Sequence, residues 1–126
     1  MKNVVVLLVM SPSARRRALI NQFAFADVEV LFAGDCRRAR EVLGARADID
    51  VAVTDLTLSD GNWRDVLEWT VHRDTPPPVV VVSPVGGERL WAEVLWRGAH
   101  DLLVEPVEGV EIRRSIEGAV RGAFVH

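Results

Sequence analysis

Five short apolar runs punctuate the sequence, and two of them, Val4–Val9 and Val79–Val82, contain no polar residue. A strand with one wet face alternates apolar and polar residues. An unbroken run instead fits a strand covered on both faces, as at the centre of a parallel sheet. The other runs are Val28–Phe32, Val51–Thr54 and Asp101–Val104. Between and after them lie segments long enough for helices: Ser13–Phe25, Cys36–Ala45, Trp63–Arg73, Glu88–Arg97 and Val107–Phe124.

Local signals agree with this partition. Asp35 and Asp60 are placed to cap the helices that follow them, because a carboxylate accepts free backbone N–H groups. Gly44 and Gly98 stand near helix ends, where a left-handed residue is often needed. Val110, Ile112, Ile116 and Val120 recur at roughly helical spacing in the last segment. The expected fold is a single α/β domain over residues 1–126, a (βα)5 chain with a parallel sheet and right-handed crossovers. By analogy with other five-stranded doubly wound sheets, the strand order is flavodoxin-like, 2-1-3-4-5.

The 126 residues, about half of them apolar, suit one domain with a substantial core. The formal net charge of −3 argues against direct nucleic-acid binding, which favours a basic face. The single cysteine, Cys36, cannot form an internal disulfide, so a reducing, cytoplasmic setting is expected. Cys36 itself reads as a small apolar residue near a helix start. No stretch approaches the ~20 apolar residues of a membrane helix. Three arginines soon after the first apolar run argue against a signal peptide there.

In sheets of this class, ligands bind beyond the carboxyl ends of the strands. That rule selects Met10 and Ser11, Asp55, Ser83, and Glu105 with Pro106. Asp55, at the end of a buried strand, is either an acceptor or metal-binding carboxylate or a loop-capping one; its position leaves both open. His72, His100 and His126 are scattered in sequence and suggest no metal cluster.

Three stretches carry a family resemblance. DLTLSDG resembles the acceptor loop of response-regulator receiver domains, with Ser59 in place of the usual proline. VVVVSP is similar to their fourth strand, which ends in a Thr or Ser. RGAHDLLVEP resembles their Gly-Ala-Asp-Asp-Tyr-Leu-Val-Lys-Pro stretch. With the (βα)5 layout, the resemblance covers nearly the whole chain. It implies that Asp55 is the phosphoacceptor and that Ser83 contacts the phosphoryl group on activation. Thr57 would offer a backbone carbonyl to magnesium. Pro106 would follow a cis peptide bond, since such bonds are rare except before proline.

The departures are as specific. Met10 and Ser11 stand where the family has an acidic pair. Glu105 replaces the lysine before the proline, and Leu102 replaces the aromatic residue of the switch. Magnesium prefers oxygen ligands that include one or two carboxylates, so Asp55 and Thr57 alone imply weak binding. A phosphoryl group at Asp55 would meet Glu105 without the usual cation. Glu105 is expected to turn to solvent; turned inward, it would partly replace a lost metal ligand. Arg15, Arg16 and Arg17 are expected to form a solvated helix face, because consecutive residues point in different directions; the alternative is that one of them reaches the site and supplies the missing positive charge.

The segment GERLWAEVLWRG holds more large apolar side chains than one buried stripe needs. Trp96, with or without Trp91, is expected to be exposed and to mark a partner face. The resemblance implies partners or a homodimer through helix four, strand five and helix five, and a sensor histidine kinase as phosphodonor. Two functions follow: a phosphorelay receiver with an incomplete site at Asp55, or a pseudo-receiver that binds proteins independently of phosphorylation. Neither is an enzyme. A flavin carrier is disfavoured because MSPSARRR is a poor phosphate loop, and a hydrolase because Thr57 stands where a second acid is wanted.

Overall fold

The computed structural model describes residues 3–23 and 27–123. Five parallel strands form one sheet: β1 (Val4–Val9), β2 (Val28–Ala33), β3 (Val51–Asp55), β4 (Val79–Ser83) and β5 (Asp101–Val104), in the order β2-β1-β3-β4-β5. The helices are α1 (Ala14–Asn21), α2 (Cys36–Ala45), α3 (Trp63–Val71), α4 (Glu88–Trp96) and α5 (Gly109–Ala123). A two-rung hairpin, Thr57–Leu58 against Gly61–Asn62, follows β3. The expected helix ends at Phe25 and Phe124, like His126, lie outside the described residues.

The unbroken apolar runs have the predicted cause. Successive strand residues alternate between the two sheet faces, and both faces are covered. Val6, Leu8, Val51, Val53, Val80 and Val82 pack with Leu19 of α1 and Ile112 and Ile116 of α5. Val5, Leu7 and Val9 pack on the other side with Ala39 and Leu43 of α2 and Val66 of α3. Ala52, Val79 and Val81 continue that side under Trp63, Leu67 and Val94. At ~25 cal/mol per Å² of apolar surface removed from water, these layers are the main source of stability.

Helix starts follow local side-chain chemistry, with two corrections. Ser13 caps α1 by accepting from Arg16 N, and Asp35 caps α2 by accepting from Arg38 N. Asp60 does not cap the helix after it. Its carboxylate accepts from Cys36 N and Arg37 N at the start of α2, whereas Asn62, in a capping box with Asp65, caps α3. Asp60 lies too far before Trp63, and the chain turns it back across the hairpin. Gly44 lies within α2 and has no left-handed backbone, since α2 continues to an extended Arg46. Gly98, after α4, does adopt positive φ (+107°).

Register brings the candidate residues to one edge. Val9 pairs with Ala33 and Thr54, Asp55 with Val82, and Ser83 with Val104. The carboxyl ends of β1, β3, β4 and β5 are therefore level, and the loops that follow them share one rim.

Candidate functional site

Asp55 is the last residue of β3 and only 6% exposed. Its Oδ1 accepts the N–H of Leu56 at 2.9 Å. The rest of its coordination comes from α1. Arg15 donates Nη1–H to Asp55 Oδ2 at 2.8 Å and Nη2–H to Oδ1 at 2.9 Å, a two-pronged pair. The same guanidinium donates Nε–H and Nη2–H to Glu105 Oε1, at 2.8 and 2.6 Å. One cation is thus clamped between two carboxylates from β3 and from the loop after β5. Planar guanidinium matches carboxylate geometry in a way an ammonium cannot. The bonds from Asp55, and then those from Glu105, hold the Arg15 pKa above its already high ordinary value.

Two expectations are corrected here. Arg15 does not join a solvated face, and Glu105 turns inward. The three arginines do diverge: Arg16 lies over the Phe32 ring at 5.1 Å, and Arg17 is exposed. Ser13 fixes the helical phase that selects Arg15. As the second residue of α1, Arg15 starts beside the carboxyl rim and points across it.

The remaining rim residues are already engaged. Met10 is buried in the core, and Ser11 Oγ donates to the Gly34 carbonyl at 3.1 Å. Ser83 is buried; its hydroxyl donates to Val85 O at 2.6 Å and accepts from Val85 N at 3.1 Å. Leu102 is buried beneath α4 and carries no polar handle. Thr57 is exposed in the hairpin, and the Glu105–Pro106 peptide bond is cis. Among the described residues, no buried polar side-chain atom lacks a partner. Arg15 and Glu105 also line a cleft of about 530 Å³, together with Ala18 and Leu19 of α1, Gln22 just after that helix, and Pro84, Pro106 and Val107. Away from the rim, Trp96 is 87% and Trp91 52% exposed on α4.

No protein-family model matches the chain. Among curated proteins it is similar to the response regulator protein PilR of Pseudomonas aeruginosa, 32% identical over 89 residues, and to the regulatory protein LuxO of Vibrio cholerae, 30% identical over 97 residues. Those stretches cover 71% and 77% of this chain. Among solved structures it superposes on the signal receiver domain of a protein described as a LuxO repressor, from Vibrio parahaemolyticus (TM-score 0.84, 22% identity, 96% of this chain and 92% of that one). The chain belongs with the receiver domains of response regulators. It spans about one fifth of the length of the two curated relatives, 20% and 21%. A further receiver fold is CheY of Borrelia burgdorferi, solved in a complex with CheX, BeF3 and magnesium (TM-score 0.80, 19% identity, 93% of this chain and 89% of that one).

The residues here fit magnesium poorly. Met10 and Ser11, which the resemblance sets at the acidic pair, offer a buried thioether and a hydroxyl already bonded to Gly34. Both Asp55 oxygens are taken by a guanidinium. Among the described residues, no group of three or more His, Cys, Asp or Glu side chains is placed to hold a metal. No described helix is long and apolar enough to cross a membrane.

Proposed function

We propose that this receiver domain is a signalling module that binds its partners independently of phosphoryl transfer to Asp55. The observation that carries this reading is the Arg15 fork on Asp55. A nucleophilic carboxylate needs a free oxygen and a cation to balance the incoming phosphoryl charge. Asp55 has its oxygens engaged, and its cation is shared with Glu105. Adding a phosphoryl group would break the fork and bring negative charge against Glu105. Ser83 is closed on Val85, and Leu102 is not aromatic, so the usual route from site to surface lacks its parts. The exposed Trp91 and Trp96 on α4 are the proposed docking face, for a signalling protein or a second copy of the chain.

A second reading rests on the retained carboxylate. Asp55 occupies the acceptor position, and Arg15 is 39% exposed at its side chain, so it has room to swing and serve as a counter-ion to a phosphoryl group from a histidine kinase. Intact mass after incubation with acetyl phosphate and magnesium separates the two. The expected result is no added phosphoryl group on the folded chain. A gain that disappears in Asp55→Asn would establish the acceptor reading instead.

A further inference from the structure

We infer that Arg15 is the resident counter-ion of this rim, so that the site works without a divalent cation, and that removing Arg15 alone would convert Asp55 and Glu105 into a divalent-cation site. The proposal deepens the reading of Asp55 as an ion-pair residue. It rests on geometry: one nitrogen, Arg15 Nη2, donates both to Asp55 Oδ1 at 2.9 Å and to Glu105 Oε1 at 2.6 Å. The two carboxylates therefore converge on one cationic centre from β3 and from the loop after β5.

Two carboxylates turned toward one point repel each other unless a cation lies between them. Asp55 is nearly buried, and the Glu105 side chain is 18% exposed, so water screens that repulsion only partly. The chain meets the demand with a cationic side chain of its own. Arg15 enters from the first turn of α1, positioned by the Ser13 cap, and remains protonated at any accessible pH. Its charge offsets one of the two negatives and leaves the cluster one unit negative. A metal ion could not join without displacing the fork. With Arg15 truncated, two carboxylates and water remain. Magnesium and manganese accept such a set, since magnesium is commonly held by one or two carboxylates and several waters.

The cluster also joins separate elements. Arg15 belongs to α1, Asp55 to β3, and Glu105 precedes α5. A metal ion would join only the carboxylates, whereas the arginine adds α1. Loss of Arg15 should therefore remove one tie between the start of α1 and the rim, which metal would not restore.

The test is thermal melting of the whole chain in EDTA, in millimolar magnesium and in millimolar manganese, with manganese affinity read by calorimetry. Wild type is expected to melt at one temperature in all three. Arg15→Ala is expected to melt lower in EDTA, to recover part of the loss with either metal, and to bind manganese roughly tenfold or more tightly than wild type. Arg15→Ala combined with Asp55→Asn should lose the metal response. If Arg15→Ala does not fold in EDTA, rescue by metal supports the inference and failure of rescue counts against it. A wild-type melting point that rises with metal and loses that rise in Asp55→Asn overturns it, as does a folded Arg15→Ala chain that ignores both metals. Wild type that gains a phosphoryl group yet ignores metal would refute the phosphorylation-independent reading and leave this one standing.

Discussion

Asp60 and Cys36 lie 24 positions apart, and the Asp60 carboxylate accepts the Cys36 N–H at 2.7 Å. Its second oxygen takes Arg37 N at 3.0 Å, so the loop after β3 closes the start of α2. These bonds hold the Asp60 carboxyl below its ordinary pKa. A depressed carboxylate pKa adds stability above the unfolded value and loses it as pH falls through the folded one. Asp60→Asn should therefore melt lower than wild type at pH 7, and the gap should shrink in acid, below about pH 4. Paired melting curves from pH 7 to pH 3 check this; a gap that widens in acid would contradict it.

The same contact adds to the effect of burial on the thiol. Burial, and then the Asp60 charge, push Cys36 up to about 12. The reactive species is the thiolate, so native Cys36 should resist iodoacetamide at pH 8 and react only after unfolding. Labelling followed by intact mass, with and without urea, tests this. Rapid labelling of the native chain would show that α2 opens locally.

Arg15→Ala should destabilise the fold by about 2 kcal/mol. Removing one partner of a fully buried pair costs about 3–5 kcal/mol. Arg15 is 39% exposed at its side chain, and solvent screening reduces that cost. Arg15→Lys should cost less, because it keeps the charge but loses the two-pronged fit. Urea unfolding of both variants in EDTA gives the comparison.

The fold was legible because two central strands, β1 and β4, are written as unbroken apolar runs, and two-sided burial leaves few alternatives. The β1 and β5 bounds match the expected ones, and β2, β3 and β4 extend one residue further. The carboxyl rim was also legible, since it follows from strand ends alone. An arginine at the site was the less favoured of two expectations because helical phase decides it: of three adjacent arginines, only the one at the second helical position crosses the rim. Two signals could have found it. Ser13 is a good N-cap, and Glu105, where the resemblance expects a lysine, leaves two carboxylates in need of a cation. Asp60 was assigned to the wrong helix because side-chain capping across a loop leaves no mark in local spacing.

Core and surface should separate cleanly in mutation. Leu8 is fully buried between β1 neighbours and the α1/α5 layer, so Leu8→Ala should cost about 3 kcal/mol, through lost burial and the cavity left behind. Trp96 is 87% exposed, so Trp96→Ala should change stability by less than about 0.5 kcal/mol. If the α4 face docks a second copy, Trp96→Ala should still shift the sedimentation of concentrated protein toward monomer. Wild type that is itself monomeric at high concentration would leave α4 to a different partner. A large loss of stability in Trp96→Ala would mean that the side chain supports the fold, and the docking role of that face would lose its basis.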